Sequence, residues 1–159
     1  MYKMVIFDVD GTLVQPKSGA TFRKSADDWQ WLPGRLKKLQ ELKEQGVRLA
    51  IATNQGGVAF GFMQKEHILA ELHRTAYEAG IPAGGVYVCY THPKAKIEQY
   101  RADDDRRKPG PRMLQEAMND FETDQHETLY VGDREEDEQA AKAAGVAFVW
   151  ASTFFGDEP

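Results

Sequence analysis

Two aspartates near the start of the chain are the residues best suited to chemistry. Asp8 and Asp10 follow a short apolar run that begins at Val5, and Gly11 and Thr12 come directly after them. Residues two apart in an extended segment point the same way, so both carboxylates can face one spot. Two like charges this close need a cation between them or a shared proton. The pair predicts a hard divalent ion such as Mg²⁺, although the same residues also occur in ordinary strand-to-turn exits.

Other polar side chains stand at the ends of later apolar runs. Thr53 and Asn54 follow a second run, Asp133 follows a third, and Lys108 precedes a predicted helix. In an open parallel sheet the carboxyl ends of the strands meet at one edge, where ligands bind. We therefore expect these groups to lie near Asp8, although they are far apart in the sequence.

The elements that must position these groups alternate between strands and helices. Such alternation implies right-handed crossovers and an α/β fold, with a mainly parallel five-stranded sheet covered by helices on both faces. Leu36 and Tyr77 are expected on the inward faces of the first two helices. The predicted strands are one that ends before Asp8 and then 47–52, 86–90, 128–131 and 146–150, and the predicted helices are 33–45, 64–79, 111–121 and one that stops at Gly145.

Composition restricts the protein class. A chain of 159 residues, 42% hydrophobic and 28% charged, suits one globular domain spanning 1–159. The net charge of −5 provides no broad basic face for nucleic acid. The lone Cys89 excludes an internal disulfide, and no apolar run approaches the length that crosses a membrane. We expect a cytoplasmic monomer without membrane contact.

Hydrolysis of a phosphomonoester would use every one of these groups. Asp8 could attack phosphorus to form an aspartyl-phosphate, and Asp10 could protonate the leaving oxygen and then activate water. Lys108 would supply positive charge, and Asp133 would complete the Mg²⁺ site. The remaining contacts to the phosphate would come from the backbone at Gly11, the Thr53 hydroxyl, the Asn54 region and Arg107.

These motifs resemble those of the haloacid dehalogenase (HAD) superfamily of aspartate-nucleophile phosphatases. The resemblance covers nearly the whole chain, and the motifs occur in the order of that family. It implies a Rossmann-like three-layer sandwich in which Asp8 is nucleophile and Mg²⁺ ligand, and Asp10 is acid/base and binds Mg²⁺ through its carbonyl. The motifs are Asp8-Val9-Asp10-Gly11-Thr12, Thr53-Asn54-Gln55, Arg107-Lys108-Pro109 and Gly132-Asp133, with Asp137 one helical turn further on.

Within the superfamily the chain is similar to two branches. One contains heptose-bisphosphate and histidinol-phosphate phosphatases, which carry a zinc loop, and the other contains polynucleotide 3′-phosphatases. Only Cys89 of the zinc-loop ligands is present, so we expect no structural zinc, which needs four ligands. The segment 17–22, with Asp28 and Trp29, is instead similar to the polynucleotide branch.

The intervals between the motifs have no room for a cap domain, so the site should be open. Arg106 and Arg107 could bind a second phosphate or a strand backbone, or could be ordinary solvated charges. We favour a Mg²⁺-dependent phosphatase of small phosphorylated metabolites, of the sugar-phosphate or histidinol-phosphate kind. The alternatives are a polynucleotide 3′-phosphatase and a non-catalytic regulator that binds phosphate or metal.

Overall fold

A parallel five-stranded sheet forms the centre of the fold. The computed structural model describes residues 1–158, and the strand order in the sheet is β5-β4-β1-β6-β7. In chain order the elements are β1 (Met4–Phe7), β2 (Val14–Gln15), β3 (Gln30–Trp31), α1 (Arg35–Glu44), β4 (Arg48–Asn54), α2 (Lys65–Ala79), β5 (Val86–Cys89), α3 (Arg112–Asp120), β6 (Thr128–Gly132), α4 (Glu135–Ala144), β7 (Ala147–Trp150) and α5 (Ala151–Phe155).

The first strand lies in the middle of this sheet. Phe7 of β1 is opposite Ile51 of β4 on one side and Val131 of β6 on the other. The chain first builds β4 and β5 on one side and later crosses to build β6 and β7 on the other. Ligands of open α/β sheets bind outside the carboxyl ends of the strands where this direction reverses. Asp8 leaves β1 at that position.

Alternate side chains of β1 enter two separate apolar layers. Val5 and Phe7 pack against residues of α1, α2 and α5, whereas Met4 and Ile6 pack against residues of α3 and α4. Because both faces of the sheet are covered, its strands are continuously apolar rather than alternating. This arrangement confirms the predicted three-layer α/β fold.

Two residues expected on inward helix faces are instead at the surface. Tyr77 is 84% exposed and Leu36 is 40% exposed. The buried face of α2 runs through Ile68, Leu72 and Ala76, and Tyr77 is 100° around the helix from Ala76. At the start of α1 the buried side chain is Arg35, so Leu36 lies at the margin of the apolar face.

In the described residues, the segments between the motifs contain loops, turns and the elements named above. Residues 15–28 form a flap, which is the loop of a small hairpin in which Val14 pairs with Trp31. The long loop 91–108 contains a 3₁₀ turn, Glu98–Tyr100, and no cap domain interrupts the described residues 1–158.

The sequence pattern did not predict α5. None of the described helices is both long and apolar enough to cross a membrane.

Candidate active site

A buried lysine joins the ends of three strands. Lys108 Nζ donates to Asp8 Oδ1 at 2.9 Å, to Asp137 Oδ1 at 2.6 Å and to the Ala52 carbonyl at 3.1 Å. It also lies 2.8 Å from the Tyr130 hydroxyl. The side chain is 4% exposed, so water screens these contacts little. The structure thus brings Lys108 and Asp8 together across a separation of 100 residues.

Three carboxylates surround the same point. One oxygen from each of Asp8, Asp133 and Asp137 lies within 4.8 Å of the others. Lys108 contacts Asp8 and Asp137 and balances one of the three negative charges, which leaves two when all three are ionised. Hard oxygen donors with two surplus negative charges fit a divalent ion such as Mg²⁺.

Burial and charge act in opposite directions on this cluster. Burial raises the pKa of the Asp8 carboxyl well above its usual range, and Lys108 only partly opposes that shift. For Lys108, burial alone would lower the pKa of the ammonium group, but Asp8 and Asp137 outweigh burial and the net shift is upward. The lysine therefore stays charged at neutral pH.

The turn after the first strand fits closely against Asp133. Gly11 has a φ of +86°, and a Cβ at this position would lie 2.0 Å from Asp133 Oδ2. Only glycine tolerates both the conformation and the close approach. Thr12 Oγ1 lies 3.4 Å from Asp8 Oδ2 and 3.3 Å from Asp133 Oδ1, so its single hydroxyl proton serves one of the two at a time.

Asp10 is held by donors on both of its carboxylate oxygens. Gln55 Nε2 donates to Oδ2 at 2.9 Å, and Arg23 Nε donates to Oδ1 at 2.7 Å. Gln55 Nε2 also donates to Thr53 Oγ1 at 3.0 Å, which links Asp10 to a second predicted site residue. Sequence reasoning missed the contact from Arg23 because that residue lies in the irregular flap, where no periodicity assigns a direction to a side chain.

The Asn54 side chain is hydrogen-bonded to the backbone of Lys108. Its Nδ2 donates to the Lys108 carbonyl at 3.0 Å, and its Oδ1 accepts from the Lys108 N–H at 3.0 Å. Both halves of the amide are thereby used to fix the lysine. Thr53 and Asn54 are the last two residues of β4 rather than the start of a loop.

Asp137 and Tyr130 complete the support of the site. Asp137 Oδ2 accepts from the backbone N–H groups of Asp133 and Arg134, and its Oδ1 accepts from the Tyr130 hydroxyl at 2.8 Å and from Lys108. With both oxygens occupied in this way, Asp137 orients Asp133 and Lys108. A tyrosine inside an apolar strand is typical of a core residue, so the sequence did not indicate this role for Tyr130.

The two neighbouring arginines have different surroundings. Arg106 pairs with Glu116 and donates Nη1 to the Val88 carbonyl at 2.6 Å, so it is bound within the structure. Arg107 lines the cleft and donates Nη1 to the Thr91 carbonyl at 3.3 Å. Within residues 1–158 no carboxylate pairs with Arg107, which keeps its charge available to a ligand.

The predicted residues line a single cleft of about 720 Å³. Aromatic side chains also line this cleft, where the Phe60 ring stacks on Phe62 at 6.4 Å and contacts His92 at 4.9 Å. Phe22 of the flap also lines the cleft and is 67% exposed. The predicted site residues in its walls are Asp8, Asp10, Gly11, Thr53, Asn54, Arg107, Lys108 and Asp133.

Comparisons with known proteins agree with this geometry. A sequence profile of the family described as polynucleotide kinase 3 phosphatase matches residues 3–155. D-glycero-beta-D-manno-heptose-1,7-bisphosphate 7-phosphatase of Photorhabdus laumondii is 34% identical over 145 residues, which are 89% of this chain and 76% of the relative. The enzyme of the same name from Escherichia coli strain K12 is 32% identical over 145 residues, 89% of this chain and 74% of the relative.

Solved structures show the same architecture. D,D-heptose 1,7-bisphosphate phosphatase from B. bronchiseptica, in complex with magnesium and phosphate, superposes with a TM-score of 0.73 at 29% identity, covering 92% of this chain and 78% of that one. A protein described as a HAD-like phosphatase, from Mesorhizobium loti, superposes with a TM-score of 0.76 at 26% identity, covering 92% of this chain and 70% of that one. The resemblance read from the sequence motifs is thereby confirmed.

Proposed function

Because the chain belongs to the polynucleotide kinase 3 phosphatase family of HAD-type phosphatases, we propose that it hydrolyses phosphomonoesters through an aspartyl-phosphate on Asp8. The observation that carries this proposal is the meeting of Asp8, Lys108 and Asp133 in one cleft, with Asp10 two residues from Asp8. Nucleophile, positive charge and acid/base are the parts that phosphoryl transfer needs.

The reaction would proceed in two displacements. In the first, an Asp8 oxygen bonds to phosphorus while the ester oxygen leaves and takes a proton from Asp10. In the second, water loses its proton to Asp10 and attacks phosphorus, which releases phosphate and restores the Asp8 carboxylate. Lys108 stabilises the negative charge beside Asp8 in both displacements, since its Nζ lies 2.9 Å from Asp8 Oδ1.

A bound Mg²⁺ would neutralise the phosphate oxygens and the surplus carboxylate charge. The residues suited to hold it are Asp8 and Asp133 through their side chains and Asp10 through its carbonyl. Asp137 has both oxygens occupied by Lys108, Tyr130 and backbone N–H groups, so we assign it to support.

We infer that the substrate is a small phosphorylated metabolite, with sugar phosphates as the favoured class. The named relatives are heptose-bisphosphate 7-phosphatases. Arg107 supports the same inference, because it lines the cleft without a carboxylate partner among the described residues and suits a second anionic group on the substrate.

A polynucleotide 3′ end is the second candidate substrate. The specific observation in its favour is that Phe22 and Phe62 line the cleft and are 67% and 75% exposed. Exposed aromatic rings of this kind can stack nucleic-acid bases, with each stacked base contributing about 1–3 kcal/mol. The family description names such a substrate as well.

A substrate panel with and without Mg²⁺ tests both assignments. It includes heptose 1,7-bisphosphate, simple sugar phosphates, histidinol phosphate and a 3′-phosphorylated oligonucleotide, with Asp8→Asn as the control for contaminating phosphatases. The first candidate predicts the highest kcat/KM for a sugar phosphate. The second predicts the highest value for the oligonucleotide, falling steeply as salt rises. If nothing is hydrolysed with Mg²⁺ while phosphate still binds, the protein is a regulator and the proposal is wrong.

A further inference from the structure

Arg23 is the flap residue that contacts the proposed acid/base. Its Nε lies 2.7 Å from Asp10 Oδ1, and its side chain is 3% exposed, against 33% for Asp10. A buried guanidinium paired to a partly exposed carboxylate is a fixed donor with a defined direction. The pair therefore restricts which way the Asp10 oxygens point.

The flap that carries Arg23 is held in place by hydrogen bonds of its own. Asp28 accepts from the Ser18 N–H at 2.9 Å, the Ser18 hydroxyl at 2.7 Å and the Lys24 N–H at 2.9 Å. Arg23 Nη1 donates to the Ala26 carbonyl at 2.9 Å, inside the same loop. These contacts hold the guanidinium in place independently of Asp10.

One donor of the Arg23 guanidinium has no acceptor within residues 1–158. Arg23 Nη2 is buried and has no hydrogen-bond partner among the described residues. A buried donor without a partner is destabilising, and such groups in native structures call for an explanation. An arginine that served only to attach the flap would gain stability by pairing Nη2 as well.

We propose that Arg23 is a positioning residue, which orients the Asp10 carboxylate for proton transfer to and from the reacting oxygens. The proposal rests on the proposed function above. Gln55 holds the other Asp10 oxygen, at 2.9 Å, so the two donors together fix the plane of the carboxylate. Loss of Arg23 lets the carboxylate rotate, which slows the steps in which Asp10 moves a proton.

Leaving-group dependence separates this role from simple attachment of the flap. Nitrophenolate leaves without a proton, so kcat/KM for p-nitrophenyl phosphate does not need Asp10 as an acid, whereas an alkyl phosphate such as 2-phosphoglycerol does. For Arg23→Met we expect kcat/KM to fall about 10- to 100-fold with the alkyl substrate and less than about threefold with the aryl substrate. Arg23→Lys should show the same selectivity, because an ammonium cannot reproduce the Nε geometry.

The matched control is Lys24→Met, which removes a neighbouring exposed charge without touching Asp10 and should leave both rates unchanged. Thermal unfolding of each variant checks that it is folded, and the Lys variant serves if Arg23→Met does not fold. Equal losses with both substrates, or no loss with either, would overturn the positioning role while leaving the phosphatase assignment intact. Failure of the unsubstituted protein to hydrolyse either substrate would overturn the proposed function itself.

Discussion

Lys108 places a positive charge among three acidic side chains at the centre of the site. Its ammonium group contacts Asp8 and Asp137 directly, while Asp133 lies on the more exposed side of the cluster. The charges are buried, so their interactions are stronger than at the surface, but so is the penalty of leaving any of them unbalanced. The cluster is therefore expected to respond strongly to a divalent ion.

Mg²⁺ should stabilise the fold more as pH rises. Burial raises the pKa of Asp8, so the stability from its protonated form is present below the unfolded-state pKa and lost as pH rises through the raised value. Mg²⁺ competes with that proton. At any pH, a Mg²⁺ concentration of about 100 times the Kd at that pH should add about 2.7 kcal/mol to the free energy of unfolding. The Kd itself should fall as pH rises, because fewer protons compete for Asp8. At one fixed Mg²⁺ concentration, thermal unfolding should therefore show an increment that grows as pH rises through the raised pKa of Asp8.

Asp8→Asn is the comparison for this measurement, since it removes the titrating group and one carboxylate ligand. Its Mg²⁺ increment should be smaller and should vary less with pH. An increment that is equal in both proteins at every pH would show that the ion binds elsewhere.

Residue types and their order were sufficient to predict the centre of the site but not its supports. Asp8, Asp133, Lys108 and Thr53 could be placed together because each lies at the end of a strand or the start of a helix on one side of the sheet. The contact of Arg23 with Asp10 depends on the path of an irregular loop, which no local pattern encodes.

At the scale of elements, the turn after β1 determines how closely two motifs can approach. Gly11 lies against the Asp133 side chain with a φ of +86°, whereas Gly19 in the flap has a φ of +80° with nothing within 4 Å of an added Cβ. The two glycines share the same backbone requirement and differ only in their surroundings. They form a natural pair for separating backbone strain from steric displacement.

Gly11→Ala should reduce turnover much more than Gly19→Ala. Both substitutions bear the strain of a positive φ, about 1–2 kcal/mol, which should lower their thermal stability by similar amounts. Only the substitution at Gly11 also pushes Asp133 aside, since the added Cβ would lie 2.0 Å from Oδ2. We expect at least about a tenfold additional loss of kcat/KM and weaker Mg²⁺ binding. Similar kcat/KM values for the two variants would contradict the assigned role of this contact.

Element order was predictable because apolar runs and helical periodicity are local properties. The errors occurred where tertiary packing decides exposure. At the start of α1, Arg35 occupies the buried position that an apolar pattern assigns to a leucine. Leu36, which was predicted to face inward, is instead exposed to solvent. The same packing explains why α5 was missed, because its aromatic residues are ordered by contact with Phe7.

Across the whole molecule, Arg35 connects the end of the described chain to the active-site turn. Its Nε donates to the Thr12 carbonyl at 2.9 Å, and its two terminal nitrogens donate to the Asp157 carboxylate at 2.5 and 2.9 Å. The guanidinium also lies 4.2 Å from the centre of the Phe155 ring. One side chain therefore links residues that are 145 positions apart.

Arg35→Ala should lower the free energy of unfolding by about 1–3 kcal/mol, because it leaves the buried Thr12 carbonyl without its donor. Asp157→Asn should cost less than about 1 kcal/mol, since its side chain is 35% exposed and the amide still accepts one bond. Denaturant unfolding of both variants tests this order. If both variants lost the same free energy of unfolding, the ion pair with Asp157 would be the stabilising contact of Arg35, rather than the hydrogen bond to the Thr12 carbonyl.

The domain extent of 1–159, the monomeric state and the cytoplasmic location remain predictions from the sequence. The pattern of strands and helices does not determine these properties, because they depend on the molecular surface and on binding partners. Light scattering of the purified protein with and without Mg²⁺ would measure the oligomeric state directly.

Trapping the covalent intermediate tests the role of Asp8 most directly. Asp10→Asn should slow hydrolysis of the phosphoenzyme, so acid quenching during turnover of a labelled phosphomonoester should leave phosphate on the peptide that contains Asp8, in a form that hydroxylamine releases. Asp8→Asn should retain no label. Continued turnover with no phosphate on that peptide, or with phosphate on another residue, would show that Asp8 is not the nucleophile.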